Sequence, residues 1–193
     1  MLKIILLAIA AAIVVFVIVV AMQPDEFRVS RSATIAAPSA KVFAQVNELR
    51  KWEAWNPWGK LDPAAKLAYD GPPAGIGASY RWAGNNQVGE GRLTIVESRA
   101  NEYLRLKLEF MKPFTATNIG EFTFLPEGGG TAVTWSMNGR KNFVAKAMHL
   151  FFDMDKMVGG QFAKGLADLK AISEAAAGAK ASSPGTLRTI ASL

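Results

Sequence analysis

Residues 142–176 read NFVAKAMHLFFDMDKMVGGQFAKGLADLKAISEAA, and this stretch decides the fold. It contains no proline, and its apolar residues recur with the 3.6-residue period of an amphipathic helix: Phe143, Ala147, Leu150, Met154, Met157, Phe162, Leu166, Leu169 and Ile172. We therefore predict one long helix whose apolar stripe is buried against another layer of structure. Gly159, Gly160 and Gly165 lie in its middle. Since each glycine costs a helix up to about 1 kcal/mol relative to alanine, we expect a kink or a close backbone approach there.

A series of strand-like segments before this helix supplies the second layer. The segments are ASYRWAG (78–84), VGEGRLTIVES (88–98), EYLRLKLEF (102–110), FTATNIGEFTFLP (114–126) and TAVTWSMNG (131–139), with a short strand around residues 66–69. The connections between them are short, which favours antiparallel hairpins. Apolar and polar residues alternate within them, so we expect a sheet that is covered on one face only.

The chain upstream of the sheet begins with one more strand. EFRVSRSATI (26–35) alternates apolar and polar residues, and SAKVFAQVNELR (39–50) carries apolar residues at helical spacing. KWEAWNPW (51–58) then places three tryptophans before and after a proline, and we interpret them as mainly structural. The predicted fold class is α+β, a helix-grip: a curved antiparallel sheet of about six or seven strands wrapped around a long C-terminal helix.

These segments, in this order, resemble the START-like (SRPBCC) superfamily, in particular its polyketide cyclase/dehydrase and lipid-transport branch. The resemblance rests on FRVSRSATIAAPSAKVFAQVNEL (27–49), the tryptophan segment, the hairpin WAGNNQVGEGRLTI (82–95), the last strand and MDKMVGGQFAKGLADLK (154–170). It implies a helix-grip domain over residues 25–176 with a hydrophobic cavity between sheet and terminal helix. The superfamily holds carriers, cyclases, receptors and chaperone activators, so the fold alone does not decide the function.

Aromatic and methionine side chains are candidates to line that cavity, because they form adaptable apolar pockets. The candidates are Trp55, Trp58, Trp82, Phe110, Phe122, Phe124, Trp135, Met137, Phe151 and Met154. The alternative is that the same residues fill a solid core.

The N-terminal run of residues 4–22 contains no polar side chain. As a helix its 19 residues span about 29 Å, close to the hydrocarbon thickness of a bilayer. A signal peptide would have a shorter apolar core and a small-residue cleavage site, and a buried soluble helix would rarely be so uniform. We predict a retained transmembrane anchor over residues 1–24, with the domain outside the cytoplasm, and a disordered tail over residues 177–193.

Several classes of chemistry are unsupported. The chain has one histidine and no cysteine, which disfavours a metal site, and it has neither a Gly-x-Ser-x-Gly elbow nor a GxGxxG loop. We therefore expect no cofactor. The net charge of +6 is scattered rather than clustered, so we expect no nucleic-acid partner. The remaining candidates for acid-base work are His149, Asp153, Glu90, Tyr69 and Tyr80.

The function we expect from the sequence is membrane-anchored binding of a small hydrophobic or lipid-like molecule. One alternative is a cyclase- or dehydratase-like enzyme, which a buried ionisable group in the pocket would favour. Another is a protein-interaction module resembling chaperone activators. A filled core with an exposed apolar patch would favour that module.

Overall fold

A computed structural model describes residues 1–181, apart from the side chains of Met154 and of residues 179–181. The helices are α1 (Leu2–Ala21), α2 (Ser39–Asn47), α3 (Phe143–His149) and α4 (Met154–Ala181), with 3-10 helices at Leu49–Ala54 and Pro57–Lys60. The strands are β1 (Glu26–Ile35), β2 (Lys66–Asp70), β3 (Ser79–Ala83), β4 (Glu90–Arg99), β5 (Tyr103–Lys112), β6 (Ala116–Glu127) and β7 (Gly130–Arg140).

The seven strands form one antiparallel sheet in the order β1-β7-β6-β5-β4-β3-β2. The strands from β2 to β7 pair in chain order, whereas β1 pairs with β7 and becomes one edge of the sheet. α4 packs mainly against β1 and also contacts α2. The predicted helix-grip is confirmed, and α1 stands before it as a separate apolar helix.

The prediction of one helix over residues 142–176 is wrong at its beginning. The side chain of Asn142 accepts a hydrogen bond from the Ala145 amide and caps α3, and the side chain of Asp153 accepts one from the Lys156 amide in the first turn of α4. Two N-terminal caps within one apolar run start two helices, because each cap satisfies amides that otherwise lack partners. The four residues 150–153 join them. α4 continues to Ala181, past the start of the predicted tail, and residues 182–193 lie outside the described part of the chain.

The glycines of α4 permit close approach rather than a break. A Cβ added to Gly165 would lie 2.9 Å from Pro57 and from the Trp135 ring. A Cβ added to Gly159 would lie 2.2 Å from the guanidinium of Arg31. The expectation of close approach is therefore confirmed at these two positions.

The tryptophan segment closes the core beneath α2. Trp52 and Trp55 are buried, and their ring N–H groups donate to the carbonyls of Val46 and Gln45 at the end of α2, at 2.7 and 3.2 Å. The last carbonyls of a helix have no partner within it, so the indoles both fill the core and terminate the helix. The structural interpretation of this segment is confirmed for these two rings.

Candidate functional site

The space between the sheet and the middle of α4 is filled by aromatic rings. Trp135 of β7 stacks on Phe162 of α4 with ring centroids 4.1 Å apart, and on Phe122 of β6 with centroids 4.8 Å apart. Trp52 and Trp55 each meet the rings of Phe122 and Trp135 edge-on. Offset stacking and edge-to-face contacts at these distances are those of a packed aromatic core. We call these five residues the aromatic core.

The predicted cavity residues are distributed over three environments. Trp55, Phe122, Phe124, Trp135 and Met137 are buried; Trp58, Trp82 and Phe110 are half-buried; and Phe151 is 73% exposed. The side chain of Met154 lies outside the described part of the structure. The buried rings pack on one another, and Trp58 packs edge-on against Trp135 and Phe162, with ring centroids 5.7 and 5.9 Å apart.

The other two half-buried aromatics, Trp82 and Phe110, lie on β3 and β5. The rings of Trp82 and Phe110 meet edge-on at 5.7 Å, on either side of Gly91 in β4. A Cβ added to Gly91 would lie 2.4 Å from the Trp82 ring, so the indole occupies the space that the glycine leaves. Glu90 beside it binds Lys112 at 2.7 Å. The glycines of this hairpin serve close packing of the sheet.

A cavity of about 550 Å³ lies at the β1 edge of the sheet, against the connection between α3 and α4. Its walls are the first residues of β1, the chain before α3 and the residues around the helix break, and we call it the edge pocket. The lining residues are Glu26, Phe27, Arg28, Val29, Lys141, His149, Leu150, Phe151, Phe152, Asp153 and Asp155. The pocket therefore combines apolar side chains with charged groups of both signs.

Two of the three carboxylates that line the edge pocket, those of Asp153 and Asp155, are held by structural partners; the third belongs to Glu26. Asp155 accepts two hydrogen bonds from the guanidinium of Arg31, at 3.0 and 2.7 Å, and these bonds lower the pKa of that carboxyl. Asp153 caps α4 and lies 3.5 Å from the ammonium of Lys156. The bidentate pair of Arg31 and Asp155 fixes geometry as well as charge. This pair ties the first turn of α4 to the inner face of β1.

His149 is a titratable side chain of the pocket that packs against a ring rather than into a hydrogen bond. Its ring lies 6.0 Å from the ring of Phe27, and among the described residues no hydrogen bond to it is observed. Partial burial, and then the charge of Lys141, lower the pKa of the imidazole below its ordinary value. The neutral form therefore prevails at neutral pH, and the side chain adds to the apolar part of the lining.

The other candidates for acid-base work are engaged elsewhere. The Tyr69 hydroxyl donates to Glu53 at 2.6 Å, and burial first, then this bond, raises its pKa. Burial in the core also raises the pKa of Tyr80. A smaller cavity of about 200 Å³ lies beside Tyr69 and the turn after β2. Within residues 1–181, as far as they are described, no cluster of three metal-ligating side chains is found.

The edge pocket adjoins the end of α1. The Phe16 ring of α1 lies 6.4 Å from the Phe151 ring, and Lys146 of α3 binds both the carboxylate of Asp25 and, at 3.4 Å, the carbonyl of Ala21. α1 is long and apolar enough to cross a membrane, a test that a signal sequence also passes. Sequence reasoning missed this site because the apolar stripe masked the helix break. Asp153, a preferred N-cap residue within the stripe, was the signal that could have revealed it.

The model of one protein family, described as polyketide cyclase/dehydrase and lipid transport, matches residues 26–174. The chain belongs to this family. The match spans β1 to most of α4 and leaves out α1, so the family accounts for the helix-grip domain and not for the apolar helix before it. A search of curated proteins gives no match.

Solved structures similar to this chain support the same fold. Protein CV1439 from Chromobacterium violaceum covers 79% of this chain and 99% of its own, at 15% identity and a TM-score of 0.55. The Aha1 dimer from Colwellia psychrerythraea covers 77% and 96%, at 13% identity and a TM-score of 0.56. The di-domain ARO/CYC StfQ from the steffimycin biosynthetic pathway covers 80% and 52%, at 13% identity and a TM-score of 0.58. At these identities the likeness concerns the fold.

Proposed function

We propose that this protein is a membrane-anchored binding protein for a small hydrophobic or lipid-like molecule, which it holds without transforming it. In this proposal residues 1–24 form the anchor, with Lys3 on the cytoplasmic side and the domain of residues 25–176 outside the cytoplasm. The observation that carries the proposal is the edge pocket, whose position beside α1 brings a ligand-sized cavity to the end of the anchor.

The size and lining of the edge pocket suit an amphipathic molecule. Ligand pockets in proteins usually enclose about 300–1,000 Å³, and this one encloses about 550 Å³. Phe27, Val29 and Phe152 offer an apolar surface, and Lys141 offers a cationic group. Arg28, the other cation of the lining, donates to Ser136 at 3.2 Å and lies 3.8 Å from Glu121. We propose that the ligand has an apolar body and an anionic end, and that its source is the lipid phase around α1.

The family also contains cyclases and dehydrases, but the site gives little support to a reaction. The carboxylates Asp153 and Asp155 are engaged in a helix cap and an ion pair, and among the described residues no hydrogen bond joins His149 to Glu26, the remaining carboxylate of the lining. General acid-base catalysis needs a positioned group whose proton can reach the reacting atom.

A protein-interaction module is the second candidate, because one observation favours it. The aromatic core is closed, and apolar side chains around α3 are exposed, notably Phe143, Val144 and Phe151. Exposed apolar patches of this kind mark contacts with proteins or membranes. The two candidates differ in whether the edge pocket is occupied by a small molecule.

Photolabelling tests the binding proposal in the full chain. The protein is reconstituted in phosphatidylcholine vesicles with a photoactivatable long-chain fatty acid, and labelled peptides are mapped by mass spectrometry. We expect saturable labelling of the peptides that contain residues 26–29 and 149–153, and competition by unlabelled fatty acid. Phe27→Ala should weaken labelling about tenfold, which corresponds to about 1.4 kcal/mol.

Phe110→Ala is the matched control, because Phe110 is also half-buried at this end of the sheet but does not line the edge pocket. It should leave labelling unchanged. Loss of labelling with Phe110→Ala instead of Phe27→Ala would place the ligand on the inner face near Trp82. Label confined to α1, without saturation, would leave the interaction module as the better function.

A further inference from the structure

α3 buries a charged side chain and exposes its apolar ones, which is the reverse of a helix on the surface of a soluble domain. The residue that it buries is Lys146, which is 9% exposed, whereas Phe143, Val144 and Met148 are 49, 53 and 39% exposed. At about 100° per residue these three apolar positions fall within about 140° of the helix circumference. An amphipathic helix in water buries such a face. Here the apolar face points away from the protein.

The apolar face continues beyond the helix. Phe151 and Phe152 are 73 and 52% exposed, and Met157 in the first turn of α4 is 57% exposed. We call Phe143, Val144, Met148, Phe151, Phe152 and Met157 the α3 patch. Single exposed apolar residues are ordinary, but six that are close together in one short segment indicate a surface that is covered in the working protein.

The position of α1 indicates what covers the patch. Phe151 contacts Phe16, which lies five residues before the end of α1 at Ala21. At 1.5 Å per residue, Phe16 is about 7–8 Å along the axis from that end. α1 has 20 residues and so is about 30 Å long, which matches the hydrocarbon core of a bilayer. When α1 crosses the membrane, Phe151 therefore lies below the level at which the anchor leaves the hydrocarbon.

The polar side of α3 is satisfied within the protein. Lys146 binds the carboxylate of Asp25 and the carbonyl of Ala21, so its charge is compensated where α1 ends. Asp155 and Asp153 are paired with Arg31 and Lys156. The three aspartates nearest to the patch thus each have a cationic partner. This arrangement lowers the cost of bringing the region close to a medium of low dielectric constant.

The far end of the described chain is distant from the patch. α4 begins beside it at Met154 and runs 28 residues to Ala181, so the last described residue is about 40 Å away along the helix axis. The surface that is continuous with the patch is α1 itself, through the contact of Phe16 with Phe151. The partner whose chemistry matches both the α3 patch and α1 is the apolar phase of a lipid bilayer.

We infer that the α3 patch is inserted into the outer acyl region of the membrane that α1 crosses, so that the edge pocket opens toward the lipid. The inference rests on the membrane anchoring in the proposed function. It gives α3 the role of an interfacial helix that orients the domain, since such helices bury an apolar face about 5–10 Å into the boundary of headgroups and acyl chains.

Site-specific quenching tests the insertion, and the absence of native cysteine makes labelling simple. Single cysteines are introduced as Phe151→Cys, Val144→Cys, Ile9→Cys and Leu125→Cys in the full chain. Each variant is labelled with an environment-sensitive fluorophore and reconstituted in phosphatidylcholine vesicles with or without nitroxide-labelled lipid. Leu125 is the matched control: it is apolar and 63% exposed, and it pairs with Ala132, eight residues from the α3 end of β7. That separation is about 26 Å along the strand.

We expect a blue-shifted emission at 151 and 144, and quenching about twofold or more above that at 125, as for residues of an interfacial helix. Position 9, within α1, should be quenched by nitroxides deep in the acyl chain. If position 9 is quenched but positions 151 and 144 are quenched no more than position 125, the insertion is wrong and the anchor stands. An unquenched position 9 would overturn anchor and insertion together.

A protein partner gives a different result. If a second copy of the chain covers the patch, Val144→Cys should form disulfide-linked dimers without quenching by lipid, and the insertion is then wrong. The binding proposal can fail while the insertion stands. Quenching at positions 151 and 144 without saturable photolabelling would confirm the insertion and contradict the binding of a small molecule.

Discussion

The aromatic core and the α3 end of the molecule are built from the same kinds of residue in opposite environments. Phe162 is 1% exposed and stacks on Trp135, whereas Phe151, eleven positions earlier in the same apolar run, is 73% exposed. The difference arises at the helix break, because α4 packs on β1 whereas α3 contacts α1. Apolar composition alone therefore does not decide whether a side chain stabilises the domain or forms its contact with something else.

The largest expected effect comes from truncating one ring in each region. Phe162→Ala should lower the free energy of unfolding by about 3–5 kcal/mol, because it opens a cavity in a packed core. Phe151→Ala should change it by no more than about 0.5 kcal/mol, as for surface substitutions. Chemical denaturation of the full chain in detergent, followed by tryptophan fluorescence, measures both. Comparable losses for the two variants would show that the region around α3 is as tightly packed as the aromatic core.

A smaller effect should separate two glycines of α4. Gly165→Ala places a methyl group 2.9 Å from Pro57 and Trp135, and we expect a loss of about 1–3 kcal/mol from overpacking. Gly160→Ala meets nothing within 4 Å and should stabilise the helix by up to about 1 kcal/mol. The matched pair is measured by thermal unfolding. A stabilising Gly165→Ala would mean that Pro57 and the core yield easily, and that the aromatic core is less closed than its ring distances indicate.

The smallest expected effect is the pH dependence due to His149. Its pKa in the folded protein lies below the ordinary value of 6.5, chiefly through burial, so the unfolded chain takes up the proton first as the pH falls. This contribution to stability is complete above about pH 6.5 and is lost as the pH falls through the lowered pKa.

Replacing His149 with alanine should leave stability at about pH 8 nearly unchanged and reduce its fall toward about pH 5.5. Denaturation curves at a series of pH values measure this. A large loss of stability at high pH would instead show a buried, partnered imidazole.

The sheet and its order could be predicted because their signals are local. In β5 the alternation of Leu104 and Leu106 with Tyr103 and Arg105 matches the observed alternation of buried and more exposed side chains. The same is true of α2, whose Val42 and Val46 are buried as their helical spacing predicts. Pleat and helix period relate neighbours along the chain, so the sequence of each segment is sufficient to predict it.

The candidate site could not be predicted in the same way. The periodicity of residues 142–176 continues through residues 150–153, so it predicted one helix and placed Phe151 and Phe162 in one stripe. The caps at Asn142 and Asp153 are each worth about 1 kcal/mol and compete with that pattern. The edge pocket exists because these caps break the helix next to the free edge of β1.

The sequence by itself determined the α+β class, the antiparallel strands, the apolar N-terminal helix and the family, since each depends on periodicity, turns or motifs within short segments. Only the tertiary structure decided that Trp55, Phe122 and Trp135 close into a core with Phe162. It also decided that Lys146 is buried against Asp25 while its apolar neighbours are exposed. The reason is physical: burial and pocket formation depend on which segments, far apart in the chain, come to lie against one another, and no pattern within a single segment records that.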